Sequence, residues 1–113
     1  MMGESGFYNS ETLPVEDLGG GLKRQMLGYD SNLMMVKVLF EKGAVGKEHN
    51  HPHRQVTYVD SGVFEVNLGG NIQALGKGDS FFASPDENHG VVCLEPGALI
   101  DVFSPAREDF LKE

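Results

Sequence analysis

Apolar residues recur along this chain in short runs, and each run is cut by glycine, asparagine, aspartate or serine. "SNLMMVKVLF" (31–40) is apolar, β-branched in places, and stops at "EKGAVG", which predicts a strand followed by a turn. "QVTYVDSGVFEVNLGGNIQAL" predicts strands over 56–59, 63–68 and 72–75, separated by the turn chemistry of Asp60-Ser61-Gly62 and Gly69-Gly70-Asn71. A further strand opens at 22–27, another at "GDSFF" after a glycine turn, and two more at "HGVVCLE" and "GALIDVFS". Only the C-terminal "SPAREDFLKE" has a helical pattern, with Ser104 as N-cap and Pro105 at the first helical position. Short strands with turn signals about every 8–12 residues mark an all-β antiparallel sandwich or barrel. A two-sheet jelly roll with a short C-terminal helix fits, and its mouth is a natural cavity for a small ligand.

The totals sharpen this reading. At 113 residues the chain has room for a single core. Residues 1–14 are polar, carry Pro14 and form an N-terminal arm; 15–113 form the domain. A hydrophobic content of 40% excludes a disordered chain, and 15 glycines against 5 prolines suit a fold rich in tight turns. The net charge of −8 argues against nucleic acid or an anionic membrane as partner. The lone cysteine, Cys93, has no internal partner, the opening "MMGESGFYNS" lacks the features of a signal peptide, and no apolar run is long enough to span a bilayer. A cytoplasmic protein is the expectation.

Three of the four histidines lie in "EHNHPHRQ" (48–55). His49 and His51 share a face if the stretch is extended, and Pro52 then breaks the pairing before Gln55 enters the next strand. Two imidazoles, the Gln55 amide oxygen and His89 from "SPDENHGVV" could converge on a first-row divalent ion. Spacing alone leaves exposed loop histidines as an equal alternative. In "ALIDVF" (98–103) Asp101 interrupts an apolar strand, where an unpartnered buried carboxylate costs on the order of several kcal/mol. It either pairs with Arg107, pinning the tail to the barrel, or faces a charged site.

"HNHPHRQVTYVDSG" resembles the first motif of the cupin family: His-x-His, three residues, Glu or Gln, then Gly. "GDSFFASPDENH" resembles the second, a Gly-Asp turn leading through proline to a last histidine. The resemblance implies a double-stranded β-helix in which His49, His51, Gln55 and His89 hold one divalent transition metal ion (Ni, Zn, Fe, Mn or Co). Two positions depart from the usual pattern: Gln55, where many cupins have Glu, and Asp86, where glycine is common. An amide ligand leaves the ion its full double charge, which suits an acidic ligand.

From about Val15 to Leu111 the chain also resembles the pectin-degrading branch of the cupins, through "LGGGLKRQ", "VKVLFEKGAVG" and above all "HGVVCLEPGALIDVFSPAREDF". That resemblance implies ring opening and ketonisation of 4,5-unsaturated monouronates left by pectin or alginate lyases. It also implies a pocket lined by Asp101, Phe103 and Arg107, and a homodimer. Asp101 and Arg107 are then the catalytic pair, with Phe103 and Arg107 binding a small anionic sugar. The rival readings are a metal-dependent cupin dioxygenase and a non-catalytic uronate-binding cupin. The remaining conspicuous residues read as structure: His53 as a surface or supporting residue, Cys93, Met26, Met34 and Met35 as packing, Lys37 as a solvent-reaching stem, and Gly19–Gly21 as a turn.

Overall fold

A computed structural model describes residues 3–111. Eight strands follow one another: β1 Glu16–Gly19, β2 Leu22–Tyr29, β3 Met34–Phe40, β4 Val45–His49, β5 Arg54–Leu68, β6 Asn71–Gly76, β7 Ser80–Ala83 and β8 His89–Ser104. All pairings are antiparallel. The first half of β5 pairs with β7 and with the second half of β8, which continues through β3 and β2 to β1. The second half of β5 pairs with β6 and with the first half of β8, which in turn pairs with β4. β5 and β8 therefore run through both sheets and stitch the jelly roll together.

This corrects two expectations. Asp60-Ser61-Gly62 does not end a strand, and "HGVVCLE" and "GALIDVFS" are one strand. β5 continues for 15 residues and β8 for 16. The turn residues bend these strands without reversing them. The β5–β8 register shifts at Val59/Ser61, Ser61/Val63 and Val63/Phe64, the signature of bulges that turn a sheet corner. Gly62 has φ +83°, and a Cβ there would lie 2.6 Å from the Glu95 carbonyl oxygen. A Cβ on Gly97 would collide with the Ser61 backbone. The two strands cross at this corner so closely that only hydrogen fits between them.

Alternation fills the interior. Phe40, Val59, Phe64, Val66, Cys93 and Leu99 form the main buried cluster, with the Phe40 and Phe64 rings edge to face at 5.0 Å. Met34, Val36, Phe103 and Ala106 form a second, against which Met26 packs. Met35 instead faces outward. The Cys93 thiol is buried and donates to the Glu95 carbonyl at 3.0 Å. Ahead of β1, the Gln25 amide donates to the carbonyls of Ser10 and Leu13, which ties the N-terminal segment to β2.

The C-terminal helix is reduced to a single 3-10 turn, Glu108–Leu111. Ser104 does not cap it: that residue ends β8, and its hydroxyl donates to the Asn32 carbonyl at 2.9 Å. Tertiary docking overrides local propensity here. Ala106 is buried, its N–H bonded to the Ser31 carbonyl, and Phe110 packs edge to face on Phe103. No helix among the described residues is long and apolar enough to cross a membrane.

Candidate metal centre

The inward face turns polar at one end of the barrel. On β5, Gln55, Thr57 and Val59 are buried while Arg54, Val56 and Tyr58 are exposed, so the two polar residues extend a row whose deeper member is apolar. On β8, Leu99, Asp101 and Phe103 form the matching row. Thr57 is the cross-strand partner of Asp101, and Gln55 that of Phe103. His49 ends β4, His89 begins β8, and the two are paired across the strands. His51 lies in the loop between β4 and β5. That loop is fastened to the one before His89 by the Asp86 N–H, which donates to the His51 carbonyl at 2.7 Å. Asp86 adopts φ +64°, the left-handed conformation that explains why glycine is usual at this position of the motif.

One ligand atom from each of His49, His51 and His89 lies within 4.8 Å of the others. Each ring is oriented at Nδ1 by a backbone carbonyl: Lys47 for His49 (2.7 Å), His53 for His51 (3.1 Å) and Glu87 for His89 (2.9 Å). With Nδ1–H donating, each Nε2 carries a bare lone pair, the tautomer a metal needs. The His89 Nε2 is buried with no hydrogen-bond partner among the described residues. Burial lowers the pKa of both His51 and His89, and the charge of Arg107 adds to the effect, so both stay neutral at pH 7.

Gln55 joins this cluster with its oxygen foremost. Its Oε1 lies 2.9 Å from His51 Nε2, while its amide N–H donates to Thr57 Oγ1 at 2.8 Å. Two acceptors at that separation need a proton or a cation beside them. Three imidazole nitrogens and an amide oxygen, one nitrogen buried and unpartnered, fit a divalent transition metal. His53 stays outside the cluster and supplies its carbonyl to orient His51.

Asp101 is half-buried and borders a cavity of about 140 Å³ with His49, Gln55 and His89. Thr57 Oγ1 donates to its Oδ1 at 2.7 Å. Burial pushes the Asp101 carboxyl up to about 6, against the opposing pull of the Thr57 hydrogen bond and of Arg107. The Asp101–Arg107 ion pair that the sequence allowed is not formed. Arg107, itself buried, forks instead onto Asp109, Nε to Oδ1 at 2.9 Å and Nη2 to Oδ2 at 2.7 Å. Its guanidinium lies over Phe110 at 4.4 Å, with Arg24 at 4.2 Å from the same ring, and 5.3 Å from the Phe103 centroid. Phe103 is buried, and its ring forms a T-shaped pair with that of His51, the centres 5.8 Å apart.

Thr57, Asp109 and Phe110 were not singled out from the sequence. Thr57 had a usable signal, since it lies two residues beyond Gln55 on the same strand face. Asp109 and Phe110 had none, because their roles depend on how the tail docks.

These features define the class of protein. A family model described as "Cupin domain" matches residues 36–103, and the chain belongs to the cupin family. Within that family it is 50% identical over 107 residues to "Pectin degradation protein KdgF" of Dickeya dadantii (strain 3937), covering 93% of this chain and 96% of that protein. The solved structure of KdgF from Halomonas sp. superposes with a TM-score of 0.91 at 39% identity, covering 95% of this chain and 99% of that one. An RmlC-like cupin from Shewanella frigidimarina superposes with a TM-score of 0.94 at 55% identity, covering 97% and 99%.

Proposed function

We propose that this cupin converts 4,5-unsaturated monouronates, the products of pectin or alginate lyases, into linear 5-keto-4-deoxyuronates. The supporting observation is a half-buried carboxyl, Asp101, held near neutrality beside a three-histidine cluster, in a close relative of KdgF.

The substrate is a cyclic enol ether with a C6 carboxylate. Loss of the C1 hydroxyl proton breaks the C1–O5 bond, leaving an aldehyde at C1 and an enolate over C4, C5 and O5. A proton then arrives at C4, so the net change is an isomerisation. Burial raises the Asp101 carboxyl to about 6 in the metal-free protein, and a bound cation would favour its carboxylate, the form that accepts a proton. Asp101 takes the C1 hydroxyl proton and returns one to C4, a role worth about 10²–10⁴ in rate. Arg107 grips the C6 carboxylate with the donors that Asp109 leaves free, and Phe103 provides an apolar wall for the ring. His49, His51, Gln55 and His89 would hold the ion, which when bound supplies electrostatic stabilisation of negative charge near the C5 oxygen.

A homodimer belongs to the same reading. The register sets Met35, Val102, Val56 and Phe82 side by side across four strands, and Met35, Val56 and Phe82 are exposed. Light scattering of the purified protein measures this directly.

Proton NMR of a freshly cleaved unsaturated uronate, with and without metal-loaded protein, tests the activity. The C4 vinyl signal is expected to disappear faster with protein, with the keto acid accumulating in step. Decay at the spontaneous rate removes the enzymatic reading, and a bound but unchanged sugar points to a uronate carrier.

A further inference from the structure

We infer that Thr57 is a positioning residue that fixes which end of the Gln55 amide faces the histidine cluster. A glutamine side chain ends in an acceptor and a donor of nearly the same shape, and only the acceptor can bind a cation. Something must therefore choose between two orientations related by a half-turn. In a glutamate that choice does not exist, since either oxygen serves.

The hydrogen-bond chain makes the choice. Thr57 has one hydroxyl proton, and Asp101 Oδ1 claims it at 2.7 Å. What Thr57 Oγ1 has left to offer Gln55 is a lone pair, so it accepts from the amide N–H at 2.8 Å. Oε1 is thereby turned to His51 Nε2 at 2.9 Å. Every bond runs in one direction: Gln55 donates to Thr57, and Thr57 donates to Asp101. Thr57 is fully buried, so no solvent competes for its hydroxyl. The register supports the arrangement, because Gln55 and Thr57 share a face of β5 and Thr57 is the cross-strand partner of Asp101. The polarity of the chain is thus fixed at Asp101 and read out at the cluster.

This rests on Gln55 as a ligand and not on the uronate chemistry, so the two can fail separately. The test is a double-mutant cycle read by affinity for Ni²⁺ or Zn²⁺, measured by competition with a chromophoric chelator. Thr57→Val is expected to weaken metal binding about 10–100-fold, the usual loss for a residue that orients a ligand. Thr57→Ser, which keeps the hydroxyl, should stay within about threefold of the parent. In a Gln55→Glu background, Thr57→Val should also cost no more than about threefold, since a carboxylate has no wrong end. If the valine is not tolerated, Thr57→Ala makes no steric demand and carries the same comparison. Equal losses in the parent and the Gln55→Glu backgrounds, or no loss on removing the hydroxyl beside Gln55, would overturn the inference. Uronate turnover in the parent protein reports on the proposed activity independently of either result.

Discussion

His49 and His89 face each other where β4 ends and β8 begins, with ring centres 4.5 Å apart. The barrel mouth therefore closes on two imidazoles from opposite strands, and a shared cation would add a bond between them. Nickel or zinc added to the metal-free protein is expected to raise its melting temperature, by about 2.7 kcal/mol of stabilisation at 100 times the dissociation constant. His49→Ala should abolish most of that gain. Because His49 is exposed, the variant's own metal-free stability should stay close to that of the parent. Differential scanning calorimetry with and without metal reads both quantities, and an undiminished gain in the variant would exclude His49 as a ligand.

Asp101 gives stability a pH dependence of unusual sign. Its carboxyl titrates at about 6 in the folded protein against 3.8 for the free group, chiefly because burial disfavours the charge. Between those values the folded state binds the extra proton, so the contribution of Asp101 to stability is fully present below about 3.8 and is lost as pH rises through about 6. At about 1.4 kcal/mol per unit, the shift corresponds to at most about 3 kcal/mol. Asp101→Asn is therefore expected to stabilise the metal-free protein at pH 8 and to change little at pH 4. Thermal melts at the two pH values check this; equal shifts at both would mean that charge burial is not the cause.

Arg107 is held from two sides, by Asp109 and by the Phe110 ring. Lysine keeps the charge but loses both the fork and the flat face. Arg107→Lys should raise the KM for the unsaturated uronate by about 10–100-fold, the cost of hydrogen bonds to a charged group. Metal affinity should be nearly unaffected. Steady-state kinetics with metal analysis on the same samples separate the outcomes, and an unchanged KM would remove Arg107 from carboxylate binding.

Two backbone positions should respond in opposite directions in urea titrations. Gly97→Ala forces a methyl group into the Ser61 backbone and is expected to destabilise by about 1–3 kcal/mol or more. Asp86→Gly relieves the left-handed conformation and should stabilise by up to about 1 kcal/mol. A stabilised Gly97→Ala would show that the corner is looser than its geometry.

Much of this was legible in the residues. The strand pattern and the turn residues Gly69-Gly70-Asn71 are local, and local chemistry decides them. Resemblance in the motifs pointed to His49, His51, Gln55 and His89 together, and the structure brings these four side chains to one end of the barrel. The corners were misread because Asp60-Ser61-Gly62 and Glu95-Pro96-Gly97 are turn-forming by composition. They become bends only because each strand has the other to lie against. The helix at Ser104 failed for the same reason: a capping hydroxyl was drawn to Asn32, far away in sequence. The Arg107–Asp109 fork was hidden because Asp101 offered a more conspicuous carboxylate six positions before the arginine.

β8 has a consequence for biosynthesis. It is made after the other seven strands, yet β3, β4 and β5 each pair with it along one edge. While it is still inside the ribosome, the upstream strands have lone edges and neither half of the jelly roll can close. Truncation before His89 would remove the strand that both layers share and leave them without their common seam.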